Sequence, residues 1–254
     1  MITGYNSPIR PSAEAQTPDT DPLNQNKPNF RPLGATHRSL NRSREAPIVI
    51  SMKIYDFPMA PNPRRVRIFL AEKNVDMIYV HVDITKGENR TAAFIEKNPM
   101  GGLPVLEFDD GTYLTESVAI CRYFEGMYPN PPLMGTDPRD IAFVEMWNRR
   151  MELEVFGPLA NYLQHTHPLF KDRIKQLPEF AEARLTHGSQ RLEWLDSILA
   201  QRQFVAGDRY TIADITAQVA IDISAAMGGF AIPAGARHLK RWHEAVSSRP
   251  SAKA

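Results

Sequence analysis

The sequence is poor in cysteine, in net charge and in long apolar runs, and each shortage argues against a class of protein. Only Cys121 is present among 254 residues, which excludes an internal disulfide and fits a reducing compartment. A net charge of +1 argues against a dedicated nucleic-acid or membrane surface. No apolar run approaches the roughly 20 residues that span a bilayer. We therefore expect a cytoplasmic globular protein with no nucleic-acid or membrane partner.

Apolar periodicity is also missing from residues 1–51. Seven prolines, from Pro8 to Pro47, stand there among Asn, Thr, Ser and charged residues. Such a segment cannot bury enough surface to offset its conformational entropy. Its arginines suit a transit peptide, but the prolines and acidic residues such as Glu14, Asp19 and Asp21 oppose an amphipathic leader. We predict that residues 1–51 are a disordered tail or an over-long start.

From Met52 the apolar residues become periodic, and the period changes along the chain. The pattern predicts strands at 53–57, 76–84, 104–108 and 112–115, and helices at 63–74, 91–97 and 116–127. Asp109-Asp110-Gly111 is a compact hairpin signal between the last two strands. The order β-α-β-α-β-β-α predicts an α/β thioredoxin-like domain over residues 52–129.

The rest of the chain predicts helices alone. Residues 130–136 are rich in turn formers and predict a linker. Beyond it, apolar residues recur at spacings of three and four, typical of helices in a bundle. Thr211 and Asp214 match the capping-box pattern at a helix start. We predict an all-α helical domain over residues 137–254.

Two short motifs in the α/β part suit a small zwitterionic peptide. A cis peptide at Pro104 would leave the backbone of Leu103 as an unpaired strand edge. Ser117, in the first turn of a helix, suits a carboxylate, and Glu116 suits an ammonium group. Alternatively, Pro104 makes only a turn, and Glu116-Ser117 only a helix cap.

These motifs resemble the cytosolic glutathione S-transferases in order and spacing. The resemblance covers nearly all of residues 52–254 and rests on residues 61–69, 98–106, 116–120 and 204–214. It is closest to the fungal and bacterial group that lacks the usual catalytic Tyr, Ser or Cys. The resemblance implies a homodimeric detoxification enzyme that uses glutathione as co-substrate, with no other cofactor and no metal.

The resemblance also implies roles for single residues. Leu103 and Pro104 would hold the cysteinyl backbone of glutathione, and Glu116 and Ser117 its γ-glutamyl end. Asn89 falls where related classes place a polar side chain for the glycyl end. Gly102 replaces a lysine or glutamine of some classes, so one contact is missing.

The loop that carries the catalytic residue in the better-known classes has no such residue in this sequence. Residues 57–64 contain no hydroxyl or thiol. Tyr55 is better explained as a packed strand residue, and Cys121 as a buried core residue. Asn62 is a favoured N-cap and Pro63 a favoured first helical residue, so we expect the free N–H groups of Arg64 and Arg65 to stabilise the thiolate. Asn62 could equally be a cap that never touches substrate.

In the resembling group, polar side chains on the first long helix of the second domain position a water beside the sulfur. Here Ala160 falls where a hydroxyl would be wanted, and His165 or Gln164 could serve instead. Alternatively, His165 is only a surface histidine, which is the commoner role of such a residue.

Three functions stay open from the sequence. The first is a transferase that conjugates glutathione to an apolar electrophile. The second is a glutathione-binding carrier or peroxidase-like protein of the same fold. The third is a non-catalytic interaction module.

Overall fold

The computed structural model describes residues 52–227, 229 and 231–254. The predicted tail, residues 1–51, lies outside the described residues. No described helix is long and apolar enough to cross a membrane.

The first part of the described chain is a four-stranded mixed sheet with helices on both faces. Its elements are β1 (Lys53–Asp56), α1 (Pro61–Glu72), β2 (Ile78–His81), α2 (Ala92–Ile95), β3 (Val105–Glu107), β4 (Tyr113–Thr115) and α3 (Ser117–Met127). The strand order is β2-β1-β3-β4. β1 is parallel to β2 and antiparallel to β3, and β3 is antiparallel to β4. The predicted thioredoxin-like fold is confirmed.

Alternation along the strands divides the apolar side chains between two faces of the sheet. Ile54 and Leu106 belong to the large core with Phe69 and Phe124 of α1 and α3. Tyr55 and its cross-strand partner in β3, Val105, belong to a separate small cluster with Phe94 of α2. This is the result expected when successive strand residues point to opposite faces.

The second part is helical, as predicted. Its elements are α4 (Pro138–Arg150), a π-helical segment (Met151–Phe156), α5 (Gly157–Thr166), α6 (Pro178–Leu199), α7 (Ile212–Ala226) and α8 (Arg237–Ser247). α7 is the central helix, buried along most of its length. The predicted capping box at its start is present between Thr211 and Asp214.

Several predicted bounds were wrong at their ends. α1 begins at Pro61, two residues before the predicted start, because Ala60 is the extended cap residue and Asn62 is already helical. The second predicted strand shortens to Ile78–His81 because only those residues pair with the four residues of β1. A 3₁₀ turn at Glu88–Arg90 was not predicted.

Candidate functional site

The Leu103–Pro104 peptide bond is cis, as predicted. The backbone of Leu103 makes no hydrogen bond to another described residue. Two asparagines hold the loop before it: Asn89 Nδ2 donates to the Gly101 carbonyl at 2.7 Å, and Asn98 Nδ2 donates to the Gly102 carbonyl at 2.9 Å. A backbone edge with free donor and acceptor groups can pair with an extended peptide.

Asn89 therefore has a use inside the protein that the sequence did not suggest. Its side chain is buried, and its Nδ2 is engaged with Gly101. Its Oδ1 has no hydrogen-bond partner among the described residues. Asn89 positions the loop that carries Leu103, and a contact to a ligand's glycyl end stays a prediction.

Glu116 has an unusual backbone at the junction of β4 and α3. Its φ is +68°, a left-handed value that costs a residue with a side chain free energy. Its side chain is exposed. Its carboxylate makes no ion pair or hydrogen bond with the described part of the chain, which leaves it able to meet an ammonium group.

Ser117 follows at the start of α3 and lies against a buried arginine that sequence reasoning missed. Arg65 of α1 is 1% exposed, and its Nη1 donates to Ser117 Oγ at 2.7 Å. Its Nη1 lies 3.6 Å from Glu152 Oε1, and its guanidinium carbon lies 5.3 Å from the Phe156 ring centroid. Nε and Nη2 have no hydrogen-bond partner among the described residues. Arg65 therefore places a buried positive charge in direct contact with the Ser117 hydroxyl.

Burial lowers the pKa of Arg65, and the nearby carboxylate of Glu152 opposes that shift. An arginine keeps its charge under such conditions because its ordinary pKa is so high. The one available signal in the sequence was its place on the stripe that carries Val66 and Phe69, where a charged residue needs a buried partner.

Asn62 lies at the start of α1, but it is not the N-cap that we predicted. Proline occupies positions 61 and 63, and the Arg64 N–H donates to the Ala60 carbonyl at 3.2 Å. Among the described residues, the backbone N–H of Asn62 is therefore the single donor of this first turn without a partner. The predicted free N–H groups of Arg64 and Arg65 are replaced by this one.

An apolar cavity of about 280 Å³ begins at this same turn. Its walls come from the start of α1, the π-helical segment, α5, a 3₁₀ turn and the end of α7: Pro61, Asn62, Phe156, Leu159, Ala160, Leu163, Gln164, Phe170, Ile223 and Met227. None of these described lining residues carries a hydroxyl or thiol. Phe156 also contacts Arg65, so the cavity adjoins the Ser117–Arg65 pair.

The structure does not bring His165 to this cavity. The neighbouring Gln164 lines it, while His165 Nδ1 accepts a hydrogen bond from the Leu177 N–H at 3.1 Å. The His165 ring packs edge-on against Phe180, with 5.0 Å between centroids. Successive residues of a helix point in different directions. Gln164 therefore faces the cavity, while His165 faces Leu177 and Phe180 at the start of α6.

Tyr55 is packed in its strand and Cys121 is buried in the core, as the sequence suggested. The Tyr55 hydroxyl donates to Glu107 Oε2 at 2.6 Å, and its ring packs against Phe94. Cys121 is fully buried, and burial raises the pKa of its thiol to about 12. Met59 is 70% exposed and lines the adjoining groove with Arg64 and Asp222.

The chain matches two family models over most of the described residues. Residues 54–132 match the N-terminal domain of glutathione S-transferase, and residues 159–250 match its C-terminal domain. Glutathione S-transferase 2 of Saccharomyces cerevisiae is 35% identical over 206 residues, which cover 80% of this chain and 88% of that protein. The chain belongs to the glutathione S-transferase family.

Solved structures agree with this assignment. A glutathione S-transferase domain-containing protein of Marinobacter aquaeolei VT8 is 38% identical, with a TM-score of 0.75 over 78% of this chain and 98% of its own. Gtt2 of Saccharomyces cerevisiae is 34% identical, with a TM-score of 0.75 over 79% of this chain and 98% of its own.

Proposed function

We propose that the protein is a transferase that binds glutathione between Leu103 and Ser117, stabilises its thiolate at Asn62, and conjugates it to an apolar electrophile. The observation that carries the proposal is one unbroken set of contacts. Ser117 bonds to Arg65, Arg65 contacts Phe156, and Phe156 shares the apolar cavity with Asn62. A peptide site and an apolar site therefore meet at the start of α1.

The γ-glutamyl end of glutathione carries a carboxylate and an ammonium group, and the site has a partner for each. Ser117 Oγ already accepts from Arg65, so its hydroxyl hydrogen is left to donate to the carboxylate. The charge of Arg65 behind it favours the ionised carboxylate. The unpaired Glu116 carboxylate accepts from the ammonium group. The Leu103 backbone pairs with the cysteinyl unit in strand fashion.

The thiolate is stabilised by the first turn of α1. A free thiol has a pKa of about 8.5, and lowering it to about 7 takes roughly 2 kcal/mol. One hydrogen bond to a charged acceptor contributes about 1.5–3 kcal/mol. A helix N-terminus adds about 0.3–1 kcal/mol, and up to about 2 where partly buried. The Asn62 N–H and the helix end together suffice without a hydroxyl.

We propose that the chain is one of the group that lacks the usual catalytic Tyr, Ser or Cys. The absence of hydroxyl and thiol groups among the described cavity walls supports it, as does the commitment of Tyr55 to Glu107. With an aryl halide as electrophile, the sulfur forms a bond to the ring carbon and halide leaves. The thiol proton has already passed to solvent. His165 has no part in this scheme.

As in the rest of the family, we expect a homodimer that acts in cytoplasmic detoxification. Two large apolar side chains, Met100 and Leu153, are well exposed in the single chain and give a second copy a surface to cover.

A glutathione titration by calorimetry, followed by turnover, tests the proposal. We expect binding together with conjugation of an aryl halide. Binding without conjugation, but with reduction of an organic hydroperoxide, would favour the peroxidase-like alternative. Absence of glutathione binding would contradict the proposal and favour an interaction module.

A further inference from the structure

A second cleft lies outside the glutathione site, along α4 and the segment that follows α6. It encloses about 470 Å³ and shares no lining residue with the cavity beside Asn62. We call it the arginine cleft, after Arg139, Arg150 and Arg202, which line it with Phe143 and Trp147.

Two of these arginines meet at one ring from different parts of the chain. The guanidinium carbons of Arg150 and Arg202 each lie 4.7 Å from the Trp147 ring centroid. The Trp147 indole is 4% exposed and stacks on Trp194, with 5.9 Å between centroids and 19° between planes. Both guanidiniums contact this ring, because cations are attracted to the faces of aromatic rings.

The positive charges of the cleft lack partners. Within the described ranges, neither Arg150 nor Arg202 forms an ion pair, and their side-chain N–H groups donate to no acceptor. The same holds for the guanidinium of Arg139, which lies 5.7 Å from the Phe143 ring centroid. Three unpaired guanidiniums that line one cleft are therefore available to an anion.

Two carboxylates also line the cleft, but both are already engaged. Asp137 caps α4 and accepts from the backbone N–H groups of Arg139 and Asp140. Asp140 is paired with Arg209 and accepts from Thr136. Neither reaches Arg150 or Arg202 at ion-pair distance, so the cleft keeps an excess of positive charge.

We propose that the arginine cleft binds a small organic phosphate of mononucleotide size. Planar guanidiniums present forked donors that match a phosphate group. Phe143, which is 48% exposed, offers a ring face for a planar base beside them. The site is separate from the glutathione site and needs no step of the transfer reaction.

Calorimetric titration with AMP, in saturating glutathione so that the peptide site is filled, tests this proposal. We expect AMP to bind more tightly than either adenosine or inorganic phosphate and to change tryptophan fluorescence. Arg150→Ala and Arg202→Ala should each weaken AMP by roughly tenfold or more, the effect of losing a charged hydrogen bond. Arg237→Ala, an exposed arginine elsewhere, is the matched control and should change nothing.

Lysine variants keep the test decisive if an alanine variant fails to fold. Arg150→Lys and Arg202→Lys retain charge but lose the fork, so they should also weaken AMP while glutathione affinity stays unchanged. No AMP binding at millimolar concentration would overturn the proposal. So would AMP binding that ignores all the arginine variants, or that is no tighter than inorganic phosphate.

Discussion

Ser117 shows how one residue joins the fold to the proposed chemistry. Its hydroxyl oxygen is occupied by Arg65, so only its hydrogen is available to a ligand. Removing the hydroxyl would strip a partner from both Arg65 and the bound carboxylate.

We therefore expect Ser117→Ala to weaken glutathione by about 1–3 kcal/mol, measured by calorimetry, because a buried charged group loses a hydrogen-bond partner. The affinity for an apolar second substrate should barely change. Ser197→Ala, at an exposed serine on α6, serves as the control. Unchanged glutathione affinity in folded Ser117→Ala would refute the site.

Cys121 gives a second prediction at this scale. Burial raises the pKa of its thiol to about 12, and only the thiolate reacts readily with alkylating agents. Iodoacetamide at pH 8 should leave the native protein unmodified and modify it once denatured. Rapid alkylation of the native protein, seen by mass spectrometry, would mean that the thiol is accessible and ionised.

Among single residues, the sequence predicted those whose role is local and missed those whose role depends on packing. The cis peptide at Leu103–Pro104 was predictable because a motif of a few residues carries it. Arg65 was not, since its partners Ser117 and Glu152 are distant in the chain.

At the scale of elements, the sequence predicted the helices better than it predicted their ends. α1 was predicted, but its start was placed two residues late. Proline is favoured in the first turn of a helix, and both Pro61 and Pro63 offer such a start. The π-helical segment Met151–Phe156 was not predicted. It precedes Pro158, which cannot donate to the Glu154 carbonyl, and a break in the regular hydrogen-bond ladder follows.

The far end of α1 anchors the chain's last turn. Glu72 Oε1 and Oε2 accept from Arg249 Nε and Nη2 at 2.7 and 2.6 Å, and Ser251 Oγ also donates to Glu72. Burial alone would raise the pKa of Glu72, but the bonds from Arg249 and Ser251 outweigh it and hold the pKa below its usual value.

A glutamate with a depressed pKa adds stability above its unfolded-state pKa and loses it as pH falls through the lowered value. Glu72→Gln should thus lower the free energy of unfolding at pH 7 by about 1–3 kcal/mol. Urea titrations should show that this difference shrinks below about pH 4. A difference that is constant with pH would contradict the lowered pKa of Glu72, because the loss would then not depend on its ionisation.

At the scale of the whole molecule, two differently built halves meet along α1. Its buried face packs on the sheet and α3, while its ends contact α7 and the final turn. The fold class followed from periodicity and element order, which are local signals. The cavity did not, because it is formed by side chains from α1, α5 and α7 that only packing brings together.

The central claim is that the first turn of α1, rather than a hydroxyl or thiol, stabilises the glutathione thiolate. The direct measurement is the ultraviolet absorbance of bound thiolate against pH in matched variants. Asn62→Pro removes the single free N–H while keeping a residue that a first helical turn accepts. Asn62→Ala removes only the carboxamide. Melting temperatures check that each variant is folded.

We expect Asn62→Pro to raise the pKa of bound glutathione by about one to two units, the equivalent of one charged hydrogen bond. Asn62→Ala should raise it by less, while Tyr55→Phe and Cys121→Ala should leave it unchanged. If Tyr55→Phe abolished the thiolate signal in a folded protein while both Asn62 variants kept it, the account would be contradicted.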